Sequence, residues 1–183
     1  MTIFWGLLYN TIVYPIIFIF ANILSLFNKK IREGITGRRA SLKELKEYFK
    51  LNGLNNEIYW FHVASLGEFY QAKPVLEGLK EVEPNIKIIL SFSSPSGYNN
   101  AESKSIDLKI YMPFDFIWSM RKALKIARPK KIIFASYDIW PNMIWLARAR
   151  SIHLNIFAAR VKDNSIKLRL GFISFYRSLY RSL

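Results

Sequence analysis

Three short stretches carry most of the side chains able to do chemistry. The first is Ala64-Ser65-Leu66-Gly67-Glu68, where Gly67 permits a tight turn and backbone N–H groups can face a ligand at the start of a helix. Glu68 then stands where a carboxylate could take a proton from a hydroxyl. It could equally favour the positive end of its own helix, a role worth about 0.3–1 kcal/mol, and the residues alone leave both readings open. The second stretch, Ser93-Ser94-Pro95-Ser96-Gly97-Tyr98, offers hydroxyls and N–H groups to an anion or a sugar hydroxyl, although a plain helix N-cap explains it nearly as well. In the third, Ser136-Tyr137-Asp138-Ile139-Trp140-Pro141-Asn142, a carboxylate and an indole precede a helix begun by Pro141. Asp138 is either a helix-start charge or a ligand contact. His62 lies inside an apolar run, where a hydrogen-bonded core residue is the stronger reading than a ligand. With 0 Cys and 2 His, the chain has no disulfide framework, thiolate metal site or cysteine nucleophile, and little with which to hold a metal.

Loops of this kind need a frame, and the pattern supplies one. Apolar, β-rich runs at Ile58–Val63, Lys87–Phe92, Leu108–Met112, Lys131–Ala135 and His153–Ala158 read as buried strands. Between them, helical stretches are expected at Glu68–Val82, Ser96–Ser103, Trp118–Ala127 and Pro141–Arg150. Alternation of this kind defines an α/β, doubly wound parallel sheet. Such sheets bind ligands beyond the carboxyl ends of their strands. The loops at 64–67, 93–97, 113–115, 136–140 and 159–165 should therefore share one edge. Upstream, Ser41 with Glu44 predicts a capped short helix to Phe49, ended by Asn52-Gly53.

From Thr2 to Phe27 there is no charged residue, and the run is long enough to cross a hydrocarbon core of about 30 Å. Trp5, Tyr9 and Tyr14 suit a membrane interface, whereas Asn10, Pro15 and Asn22 make the run less apolar than an ordinary span, so that a kinked or half-inserted helix also fits. A cleaved signal peptide would need a basic start that is absent here. Lys29, Lys30, Arg32, Arg38 and Arg39 follow at once and predict that the rest stays in the cytoplasm. A buried amphipathic helix with a basic loop is the alternative. The organisation expected is residues 1–28 as membrane anchor helix, 29–56 as basic linker and short helix, and 57–183 as the α/β domain. At 183 residues the chain holds one domain, or half of a two-domain enzyme, and its formal charge of +14 calls for an anionic partner. No motif for groove or base recognition accompanies that charge, so nucleic acid is not expected.

Taken in order, these loops resemble those of the 3-deoxy-D-manno-octulosonic acid (Kdo) transferases. Trp60-Phe61-His62-Val63-Ala64-Ser65-Leu66-Gly67-Glu68 is similar to the family's W-x-H-x-A-S-x-G-E block. Ser94-Pro95-Ser96-Gly97-Tyr98, Trp140-Pro141-Asn142 and Gly37-Arg38-Arg39 match further motifs, and Arg160 stands at the Arg of the family's N-A-R loop. The resemblance implies one Rossmann-like half of a GT-B glycosyltransferase, the half that binds the acceptor. It implies Glu68 as general base, with Ser65, Gly67, Ser94, Ser96, Gly97, Asp138 and Arg160 around the substrate. It also implies CMP-Kdo as donor, a lipid A precursor as acceptor, no cofactor or metal, and work at the cytoplasmic face of the inner membrane in lipopolysaccharide core synthesis. Two departures stand out. The family's E-x-E is Ser136-Tyr137-Asp138 here, and the chain ends at Leu183, in a basic aromatic helix with Arg177, Tyr180 and Arg181, where the family continues into a donor domain. Transfer by this chain alone is therefore not expected, a separate donor-domain chain being one way to complete the cleft. The alternative is a non-catalytic, membrane-anchored module that binds anionic lipid or lipid A phosphates.

Overall fold

The computed structural model describes residues 2–136, 138–158 and 170–180. At its centre is a parallel sheet of β1 (Ile58–Val63), β2 (Lys87–Phe92), β3 (Leu108–Tyr111), β4 (Lys131–Ala135) and β5 (His153–Phe157), in the order β3-β2-β1-β4-β5. This is the predicted doubly wound sheet, with strand ends within a residue of those expected. All six residues of β1 are buried, as a strand covered on both faces requires. Ile58 and Trp60 point into one core, while Tyr59, Phe61 and Val63 point into another.

Helices α4 (Leu66–Val82) and α5 (Pro95–Asn100) cover the second face, with Phe69, Ala72 and Leu76 filling its core. The first face is closed by α3 (Lys29–Asn52), α6 (Ile117–Ala127), α7 (Pro141–Arg148) and α8 (Leu170–Tyr180). Leu45 and Phe49 from α3 and Met120 and Leu124 from α6 meet Trp60 there. Because successive strands wind outward in both directions from β1, the crevice between the ends of β1 and β4 is the switch point of the sheet.

The stretch expected as a basic linker with a short helix at 41–49 is instead a single helix, α3, of 24 residues. Its cap is Asn28, whose side chain accepts from the N–H groups of Lys30 and Ile31, and not Ser41, which is buried mid-helix and donates to the Arg38 carbonyl. Gly34 and Gly37 fall in the stretch expected as linker; Gly34 is buried near Pro95, and Gly37 is the tighter contact. A Cβ on Gly37 would overlap the Tyr111 ring at the end of β3.

The uncharged N-terminal run is helical throughout: α1 (Thr2–Leu8), a π-helical turn at Tyr9–Val13, and α2 (Tyr14–Phe27). Ile3–Phe27 has the length and composition of a membrane span. One side of it, however, is fastened to the loops at the carboxyl edge of the sheet. Tyr9 and Tyr14, expected at a membrane interface, are buried against the domain instead.

Candidate active site

Strand β1 delivers its carboxyl end straight into the Ala64–Glu68 loop. Ser65 caps α4 by accepting the Glu68 N–H at 3.3 Å, and Glu68 Oε2 accepts the Ala64 N–H at 2.6 Å. This reciprocal arrangement is a close relative of the capping box, reaching one residue further back. Both readings of Glu68 thus meet in one geometry: the carboxylate braces the helix start and lies half-buried at the switch point. Burial pushes its pKa above the usual carboxylate range and the negative charge of Asp138 pushes the same way, against the Ala64 N–H and His62, which pull it down.

Asp138 arrives from the loop after β4 and behaves in the opposite way. Its Oδ2 accepts from Ser93 Oγ at 2.6 Å and lies 3.1 Å from His62 Nε2. Burial alone would raise its pKa. The contacts with His62 and Ser93 and the charge of Arg38 outweigh that and hold it at about 2. The two carboxylates are thus set apart, Asp138 held low by its partners and Glu68 raised by burial.

His62 is the hydrogen-bonded core residue its setting predicted, fully buried in β1, yet it also forms the floor of the site. Its Nδ1 lies 3.0 Å from Ser91 Oγ. Since that hydroxyl accepts from Trp60 Nε1 at 2.8 Å and donates to the Phe61 carbonyl, the network assigns the Nδ1 proton to His62. Nε2 faces both Asp138 Oδ2 and Trp140 Nε1, the latter at 3.0 Å. As a lone pair it accepts from the indole, and with a proton it donates to Asp138.

Two contributors were missed or misjudged in the sequence. Ser93, rather than Ser94 or Ser96, is the hydroxyl that reaches Asp138. Ser94 is spent capping α5 through the Gly97 N–H at 3.2 Å, and Ser96 is exposed. Gly97 serves packing: a Cβ there would meet the Phe92 ring at 2.6 Å. Arg38, noted as a basic residue and as part of the Gly37-Arg38-Arg39 match but given no place in the site, lies at its edge, with its guanidinium 4.6 Å from the centre of the Trp140 ring and donating to the Met112 carbonyl at 3.0 Å. Gly67 is exposed in the first turn of α4. Ser136 closes β4 with φ 64°, a left-handed conformation that re-aims the chain toward Asp138. Arg160 and Tyr137 lie outside the described residues.

Beside this cluster, Asp115 is wholly buried and caps α7 from another loop, accepting from the N–H groups of Asn142 at 3.1 Å and Met143 at 3.2 Å. It also accepts from Tyr9 Oη at 2.8 Å. Burial pushes its pKa up to about 7 despite these three donors and the charge of Arg38. Nothing in the Pro113-Phe114-Asp115 triplet singled it out beforehand.

A parallel sheet with carboxylates at its switch point defines one Rossmann-like half of an α/β enzyme. The family described as 3-deoxy-D-manno-octulosonic-acid transferase (kdotransferase), by its N-terminal domain, matches residues 36–183, and the chain belongs to that family. It is similar to the 3-deoxy-D-manno-octulosonic acid transferase of Aquifex aeolicus (strain VF5), 30% identical over 118 residues, covering 62% of this chain and 33% of that protein. The transferase of the same name from Haemophilus influenzae is 24% identical over 166 residues, 88% of this chain and 38% of that protein. A probable mitochondrial 3-deoxy-D-manno-octulosonic acid transferase of Arabidopsis thaliana is 29% identical over 112 residues, 60% and 25% of the two chains. The chain spans about a third of the length of these relatives.

Proposed function

We propose that this chain is the acceptor-binding half of a glycosyltransferase that moves Kdo from CMP-Kdo to a lipid A precursor in lipopolysaccharide core synthesis, at the cytoplasmic face of the inner membrane. What supports this reading is the family match together with Glu68 and Asp138 on the loops that follow β1 and β4 at the switch point, the first raised in pKa by burial, which makes it the stronger base, and the second held low by His62, Ser93 and Arg38. In this reading Glu68 takes the proton of the acceptor hydroxyl as that oxygen bonds to the anomeric carbon. The bond from that carbon to the CMP phosphate breaks, and CMP leaves with the electron pair. Asp138, held by His62 and Ser93, orients the acceptor, with Arg38 supplying a cation nearby for its anionic groups. Ser65 and Ser94 shape the loops that present the backbone. The donor is held by a second domain.

The alternative is a non-catalytic, membrane-anchored module that binds lipid A phosphates, and the Glu68-to-Ala64 bond favours it to the extent that it already gives Glu68 a structural task. The two readings part on one substitution. With a donor half fused or supplied in trans, Glu68→Gln should lower turnover by about 10²-fold or more, because it deletes basicity while keeping size. Acceptor affinity should hardly change. Near-normal turnover per folded molecule would remove Glu68 as base.

A further inference from the structure

The N-terminal helix is fastened along its length, and the fastening is periodic. Trp5 packs on Phe175 of α8 with ring centres 5.4 Å apart. Tyr9 donates to Asp115, and Tyr14 Oη accepts the Asp115 N–H at 2.6 Å. Phe18 meets Phe114 and Phe116, each at 5.1 Å, and Asn22 Oδ1 accepts from Arg39 at 2.9 Å. Asn10 and Asn142 exchange amide hydrogen bonds of 2.9 Å in both directions. Trp5, Tyr9, Tyr14, Phe18 and Asn22 are spaced four apart except between Tyr9 and Tyr14, where the step is five. That is where the helix takes its π turn, which absorbs the extra residue and keeps both tyrosines on the domain side.

A helix held in this way cannot cross a bilayer without drawing the buried Asp115 and Asn142 and the guanidinium of Arg39 into hydrocarbon, which disfavours charged groups. Its opposite side is a stripe of exposed apolar residues, among them Ile3 at 80%, Ile16 at 61%, Phe20 at 60% and Phe27 at 84% exposure. That surface continues onto a second element. At the start of α6, Ile117 is 37% and Trp118 64% exposed, and Trp118 stacks at 4.5 Å on Phe116, the ring that Phe18 touches. Lys29, Lys30 and Arg32, all exposed, border the stripe where α2 gives way to α3.

We infer that Ile3–Phe27 lies along one leaflet of an anionic bilayer instead of spanning it, and that Ile117 and Trp118 belong to the same membrane-binding surface. The basic border supplies charge complementarity to anionic headgroups. The stripe sinks about 5–10 Å, to the boundary of headgroups and acyl chains. Since the fastening loops are those at the carboxyl edge of the sheet, this orientation brings Glu68 and Asp138 toward the bilayer surface. The inference concerns how the chain sits and holds whether or not Glu68 is a base.

The chain has no cysteine, so single cysteines at the exposed positions Ile3, Ile16, Phe27 and Trp118 can each carry a bimane probe. The labelled full chain is added to phosphatidylcholine–phosphatidylglycerol vesicles containing lipids with a nitroxide either near the headgroup or deep in the acyl chain. All four probes should be quenched most by the shallow nitroxide, and partition should fall severalfold without phosphatidylglycerol. Deep quenching at Ile16 with shallow quenching at Ile3 and Phe27 would mean a spanning helix and overturn the inference. An unquenched Trp118 probe would remove that residue from the surface. Emission shifts that grow with protein concentration and ignore vesicles would assign the stripe to a second copy of the chain.

Discussion

Two carboxylates a few residues from the same strand ends have been driven in opposite directions, and the cause lies in their immediate partners. Glu68 has the Ala64 N–H and the charge of His62 to set against its burial and the charge of Asp138, whereas Asp138 has contacts with His62 and Ser93 and the Arg38 charge. A group whose pKa falls on folding contributes stability above its unfolded value, and that contribution is lost as pH drops through the folded value. For Asp138 the window runs from 3.8 down to about 2. Asp138→Asn should therefore flatten the acid limb of a stability–pH profile across that window, as followed by denaturant unfolding. A limb as steep as in the unmutated chain would show that Asp138 is not held by these partners. The types of Glu68 and Asp138 were legible in the sequence because each follows a β-rich run and opens a helix. Ser93 was passed over in favour of Ser94 because both are hydroxyls in one loop; in the fold Ser93 donates to Asp138 while Ser94 caps α5. Arg38 was recognised as basic, but its reach to Trp140 depends on a helix that was expected to be a linker.

At the scale of elements, the strands were plainly legible because burial on both faces leaves continuous apolar runs, and no turn chemistry competes with them. Helix α3 was not. Its Gly34 and Gly37 lower intrinsic helix propensity and its clustered Lys and Arg repel one another, and tertiary packing restores what is lost. Gly37 is the position where that compensation is tightest. Gly37→Ala would raise helix propensity by about 1 kcal/mol in an isolated peptide. In the folded chain it forces a methyl group into the Tyr111 ring, and overpacking of this kind costs about 1–3 kcal/mol or more. We expect net destabilisation, read as a lowered denaturation midpoint. A stabilised variant would mean that α3 and β3 separate freely and that the helix is docked less closely than described. The π turn at Tyr9–Val13 was equally hidden, since a run without charges gives no periodic signal strong enough to reveal a one-residue slip.

On the scale of the whole molecule, charge, site and apolar stripe fall on related surfaces. The loop that carries Asp115 and helix α7, which begins just after Asp138, also hold the N-terminal helix, and the charge of Arg38 lowers the pKa of both aspartates. A chain of net charge +14 should draw in a phosphorylated lipid headgroup wherever the basic residues border the crevice. Exposed charges of this kind act through a screened field whose Debye length is about 10 Å at 0.1 M salt and about 3 Å at 1 M. Affinity for a bis-phosphorylated lipid A precursor should thus exceed that for its dephosphorylated form by roughly fivefold for each phosphate engaged, on the basis of about 1 kcal/mol per phosphate–cation contact. The advantage should shrink as salt is raised. Both ligands share the same acyl chains, so membrane partition contributes equally and cancels when the comparison is made in one detergent. Equal affinities at low salt would show that the positive charge of this chain serves the bilayer surface alone and that the acceptor is recognised through its sugar hydroxyls.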